Sequence, residues 1–193
     1  MKLSLALLGA STAVYMATAV PVRAQAPEVV EDVRSFRYDR RSAVASAEYK
    51  PARVDRWITT TFFIGYTGSG PEGVPYWVAR RIEGQGHSVD GSIVTWADSR
   101  TCPALIRVLE DMERLGSPWP DVPRLGRSEG GPPVFDGVSI TLWTRSARMG
   151  DNAALVELEM RGNVDSPLAD WWSDTQASLA PCWDETEPPV DPS

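Results

Sequence analysis

Residues 57–98, WITTTFFIGYTGSGPEGVPYWVARRIEGQGHSVDGSIVTWAD, decide the fold. Three stretches rich in β-branched and aromatic side chains, 57–66, 74–83 and 89–98, are separated by the breakers GSGPEG and GQGH. Glycine-rich connections this short join neighbouring antiparallel strands. Two further stretches, 133–148 and 154–161, repeat the pattern around Gly150-Asp151-Asn152. The expectation is an antiparallel sheet of about five strands.

Two segments break the strand period. In 103–115, Leu105, Ile106, Leu109 and Met112 fall on one helical face, Glu110 stands four residues before Arg114, and Gly116 is placed to end the helix. In the second, Ser166 is an N-cap and Pro167 a first helical residue, with Leu168, Trp172 and Leu179 along one face as far as about Ala180. Sheet and helices together predict an α+β fold, with both helices packed on one sheet face.

Residues 1–26 do not belong to that fold. A basic start at Lys2, an uncharged run over 3–22 and the small residues Ala24 and Ala26 around Gln25 read as an export signal cleaved after Ala26. The run is just long enough to span a bilayer as an uncleaved anchor, which is the alternative; no later stretch could span one. The expected destination is a periplasm or the exterior, where thiols are oxidised. Cys102 and Cys182, the two cysteines of the chain, are then expected to form a disulfide. Closing a loop of about 80 residues is worth roughly 4 kcal/mol in the chain-entropy treatment. It would join the start of the first helix to the residues just past the second.

The remaining organisation follows from composition. Residues 27–50 read as an N-terminal arm, either loose or lying across a sheet face; 51–183 as one domain; and 184–193, DETEPPVDPS, as a disordered acidic tail. The whole chain carries a formal charge of −7. Without Lys2 and Arg23, 17 basic residues face 26 acidic ones, a charge of −9. Nucleic acid and anionic membranes are poor partners for such a surface. One histidine and two cysteines leave too few ligands for a zinc site, no calcium loop is present, and no cofactor is expected.

Splitting each strand into its two faces separates aliphatic from polar positions. One set, Ile58, Phe62, Ile64, Val78, Ile82, Ile93, Val138, Ile140, Leu142, Val156, Leu158 and Met160, reads as the core face. The other set carries Trp57, Trp77, Trp96 and Trp143 among threonines and charges, with Arg81 and Arg145 beside them. Four of the eight tryptophans on a polar face read as a wet binding platform, because indoles give broad contact area with little rotamer entropy. The competing reading lays 27–50, or the Trp119 segment 118–127, across them as a second small core. If Met149 and Ala153 close the last hairpin, Arg145 faces Glu157, Trp143 faces Glu159 and Thr141 faces Arg161.

Chemical motifs are weak. Gly68 to Gly73 matches G-x-G-x-x-G but leads into a strand rather than a helix, so it reads as a hairpin loop. The string GHSVD at 86–90 lacks both the final glycine and the strand-to-helix setting of a nucleophile elbow; a serine triad would have to use His87 with a distant serine. Glu157 and Glu159, roughly 6.5 to 7 Å apart along one strand, with Asp98 as a third acid, are the acid/base candidates for a carboxylate-based hydrolase of cell-wall or other glycan. The leading expectation is an exported, non-catalytic protein that binds an envelope glycan or protein through the indole and arginine face. Inhibition of a basic enzyme by charge complementarity is a variant of that reading. A purely structural exported domain is the remaining alternative.

Overall fold

The computed structural model describes residues 35–68, 73–86, 89–116, 137–149 and 154–190. Residues 1–26, read as an export signal, and His87, Ser88 and 118–127 lie outside the described residues. A six-stranded antiparallel sheet is built from β3 (Ala45–Pro51), β4 (Arg56–Thr67), β5 (Val74–Gln85), β6 (Ile93–Asp98), β7 (Val138–Met149) and β8 (Ala154–Gly162), in the order β6-β5-β4-β3-β7-β8. A separate two-stranded ribbon, β1 (Arg37–Tyr38) and β2 (Arg41–Ser42), precedes them. With α1 (Ala104–Arg114) and α2 (Pro167–Leu179) the architecture is α+β.

The sixth strand comes from the segment read as an arm. Residues 45–51 lie in the middle of the sheet, between β4 and β7. Alanine has little strand preference, and this hid the strand in the sequence. Its role is spatial: Ala45 and Ala47 are buried and add little bulk where the core is most crowded.

Register then sorts the faces. Phe62 pairs with Ala79, and Ala79 with Ala97, so Trp77, Ala79, Arg81 and Ala97 share a face with Ile58 and Phe62. Val78 and Ile82 stand on the other face, opposite to the expected assignment, and Trp77 and Arg81 leave the expected platform. The alternation in β5 is ambiguous because both of its faces are partly apolar. Ile93 lies on the side expected for it but is 59% exposed, at the free edge of β6.

The larger core cluster joins one sheet face to both helices. Ile58, Phe62, Ile140 and Leu142 meet Leu105, Val108 and Leu109 of α1 and Leu168, Trp171, Trp172 and Leu179 of α2. The indole N–H of Trp171 donates to the Val108 carbonyl at 3.1 Å and ties the helices together. In α1, Val108 takes the buried place expected for Ile106, which is exposed. Ser166 caps α2, its hydroxyl accepting from the Ala169 N–H at 3.2 Å. Cys102 and Cys182 are disulfide-bonded, Cα to Cα 5.8 Å, linking the entry of α1 to the 3-10 turn Ala180–Cys182 after α2.

Other connections follow the sequence closely. β4 and β5 pair antiparallel out to Thr67 and Val74, on either side of the 68–73 string, of which 69–72 lie outside the described residues. In the last hairpin Trp143 faces Glu159 and Thr141 faces Arg161, as the turn predicts. Nearer the turn the pairing shifts by one, Met149 facing Ala154, and a bulge between Thr144 and Ala147 absorbs the extra residue.

Candidate functional site

The expected indole platform is a second core. Trp57, Trp96 and Trp143 are 8%, 5% and 3% exposed, while Trp77 is partly buried in the helix-side cluster. Phe36, Tyr38 and Ala43, from the β1–β2 ribbon and its flanks, cover Phe63, Tyr76, Val78, Trp96 and Trp143. Ring centroids lie 5.7 Å apart for Phe36 and Phe63, 6.0 Å for Phe36 and Trp96, and 5.9 Å for Tyr38 and Trp96. The Arg80 guanidinium sits 3.8 Å above the centre of Phe36. Four open, coplanar indoles are therefore not presented: the rings are apolar surface that the preceding chain removes from water.

Trp57 has a different partner at the far end of the same face. Its indole N–H donates to the Gly86 carbonyl at 3.1 Å, and its ring lies so close to Gly84 that a Cβ there would fall 2.3 Å from Cζ2.

The acidic tail contacts this layer as far as Pro189. Asp184 forms a two-bond bridge with the backbone of Trp96 at 2.7 and 2.9 Å. The Tyr38 hydroxyl donates to the Pro188 carbonyl at 3.0 Å, and Arg100 donates to the Pro189 carbonyl at 2.9 Å. Prolines lower the entropy lost on docking an extended segment, which a count of charged and apolar residues does not register. The Asp184 carboxyl accepts from the Thr186 N–H at 2.7 Å, and that bond holds its pKa below the ordinary carboxylate value.

The acid candidates are placed as follows. Glu157 is exposed and pairs with Arg145 at 3.6 Å; Glu159 is exposed and pairs with Arg161 at 2.8 Å. Asp98 is buried in the turn before α1. Its carboxylate accepts from the Arg100 backbone N–H and side chain, and its carbonyl from the Cys102 N–H. The structure does not bring these three carboxylates into a common cleft, and Asp98 does the work of a helix-entry turn. Arg145 remains at the surface. Among the described residues no cluster of three metal-ligating side chains occurs.

No family model matches the chain, and neither the curated proteins nor the solved structures contain a match. Geometry alone has to point to a site.

The concave feature with binding chemistry is a groove of about 590 Å³ on the helix side, between the sheet and the N-terminal half of α2. Its floor crosses four strands: Arg81 from β5, Ile58 from β4, Tyr49 from β3 and Ile140 from β7. Trp172 forms one wall, stacked on Tyr49 with ring centroids 5.9 Å apart and planes within 13°. Val54 and Val164, 58% and 38% exposed, stand at the rim. A mostly apolar concavity of this size with a few polar groups is the usual form of a small-molecule site.

Two of those polar groups lack partners. The Arg81 Nε and the Gln176 Nε2 are buried, line the groove, and have no hydrogen-bond partner among the described residues. Leaving a buried donor unpaired costs about 1–3 kcal/mol, so both are points of local strain beneath the groove surface. Arg81 shares Glu83 with Arg56, two guanidinium groups on one carboxylate, and also lies 5.5 Å from the centre of the Trp183 ring. Burial lowers the Arg81 pKa from its ordinary value; Glu83 opposes that shift and Arg56 adds to it.

Of the groove residues, sequence reasoning singled out only Arg81 as a binding candidate, and for the other face. Arg56, Tyr49 and the α2 pair Trp172 and Gln176 come from three separate elements, and no spacing in the sequence links those elements. One signal was available, the apolar Val54 and Val164 next to turns, but single exposed valines are common and point to nothing alone.

Proposed function

We propose that the protein is an exported, non-catalytic binding protein that holds a small ligand in the groove between the sheet and α2. The observation that carries this reading is a mostly apolar concavity with the guanidinium groups of Arg56 and Arg81 together at one end of its lining. Export is supported by the signal-like residues 1–26 and by a disulfide, which suits an oxidising compartment. No described helix is long and apolar enough to cross a membrane. In this reading α1 and α2 lie over one sheet face and leave the groove open at its end, and the ligand is met in the cell envelope. The burial of Trp96 and Trp143 favours a structural role for the opposite face, so the two faces divide scaffold from function.

Native mass spectrometry of the exported protein, purified without denaturant from envelope extract, tests the reading. A bound small molecule is expected, and replacing Ile140 at the groove floor with Asn should reduce its occupancy while the disulfide stays intact. Occupancy unchanged by that substitution would place the ligand elsewhere.

A further inference from the structure

Resting on that reading, we infer that the groove takes an amphiphile with a single carboxylate head and an unbranched apolar tail, a medium-chain fatty acid in its chemistry. Two observations select this class over a neutral or cationic ligand. Arg56 and Arg81 flank one carboxylate, Glu83, which leaves one positive charge uncompensated at that end of the groove. Away from Arg81 the lining is Tyr49, Ile58, Ile140, Val138 and Trp172, without a charge, which accepts hydrocarbon and nothing ionic.

The length of the tail follows from the strand order. From β5 through β4 and β3 to β7 are three inter-strand steps, about 14 Å, the extended span of a chain of roughly ten carbons. A single net positive charge fits one carboxylate better than a doubly charged phosphate. The exposed rim valines Val54 and Val164 are apolar where the tail would leave the groove.

Isothermal titration of the exported protein with decanoate, decanol and decyltrimethylammonium, each below its aggregation concentration, tests the inference. Decanoate is expected to bind at least tenfold more tightly than decanol, and the cation not at all. Octanoate, two methylenes shorter, should bind about fifteenfold more weakly than decanoate, because each buried methylene is worth roughly fourfold. Arg81→Gln should erase the preference for decanoate over decanol. Because Arg81 is partly buried and its loss could disturb the fold, the doubly substituted Val54→Glu, Val164→Glu protein is the second arm. Both positions are exposed, so its melting temperature should hold while decanoate affinity falls at least tenfold.

Equal binding of decanoate and decanol, both lost in the double variant, would overturn the anionic class while leaving the groove as a site. Decanoate binding that the double variant does not weaken would overturn the groove itself. Should the groove instead hold a second copy of the chain, light scattering would show a dimer that the double variant dissolves, and the inference would fall.

Discussion

Tyr38 is where the covering ribbon, the second core and the tail meet, and its replacement tests whether that layer is as tightly built as its geometry indicates. The side chain is fully buried, its ring lies 6.0 Å from Phe63 and 5.9 Å from Trp96, and its hydroxyl donates to Pro188 at 3.0 Å. Tyr38→Phe removes only the hydrogen bond, about 1 kcal/mol, which for a chain of this size lowers the melting temperature by roughly 2–4 °C. Tyr38→Ala adds the loss of a buried ring, about 3–5 kcal/mol by analogy with large aromatic deletions, or roughly 6–20 °C. Urea titrations followed by tryptophan fluorescence, disulfide intact, would measure both, and Tyr38→Ala should also shift emission to the red as Trp96 meets water.

The same residue sets an alkaline limit. Burial, seconded by Tyr76, raises the Tyr38 pKa above its ordinary value of 10. A raised folded-state pKa means the contribution is complete below pH 10 and is lost as pH rises above it, because the unfolded chain gives up its proton first. Stability should therefore fall more steeply above pH 10 in the native protein than in Tyr38→Phe. A Tyr38→Ala protein within about 0.5 kcal/mol of the native one, with unchanged emission, would refute the covered face.

Three further outcomes follow from other contacts. Gly84→Ala would place a Cβ 2.3 Å from the Trp57 ring and 2.9 Å from the Ser92 hydroxyl, so overpacking of about 1–3 kcal/mol is expected by calorimetry, with the Trp57 to Gly86 bond lost. Replacing Cys102 and Cys182 together with serine should cost roughly 4 kcal/mol in a urea titration, and adding reductant to that double variant should change nothing further. Asp39 and Arg40 join β1 to β2 with φ of 48° and 62°, so Arg40→Gly should stabilise the ribbon by up to about 1 kcal/mol, seen as slower amide exchange at Tyr38.

How much of this was legible depends on whether the signal was local. Ser166-Pro167 announced α2, because a cap is written in consecutive residues, whereas the expected partners of Trp143 and Thr141 hold only because the bulge between Thr144 and Ala147 offsets a one-residue shift at Met149. The disulfide was legible because the chain offers a single possible pair. The strand Ala45–Pro51 was not, since its small residues are chosen for what packs against them rather than for strand preference. The face of β5 was misread for a related reason: Val78 is apolar because a ribbon from elsewhere covers it, and Trp77 and Arg81 stand on the face of Ile58 and Phe62. The site was least legible of all. Arg81 gains its meaning from Gln176, 95 positions away on the same groove, and from Arg56, which shares Glu83 with it across a strand pair whose register the sequence alone leaves open.

The division of labour between the two faces can be measured in one titration. The protein, labelled with 5-fluorotryptophan and with each resonance assigned by single tryptophan-to-phenylalanine substitutions, is followed by fluorine NMR as decanoate is added. The Trp172 resonance, at the groove wall, should move saturably and Trp183, beside Arg81, should follow it, while Trp57, Trp96 and Trp143 stay in place. Movement of Trp96 and Trp143 with Trp172 unchanged would contradict the account and return binding to the indole face.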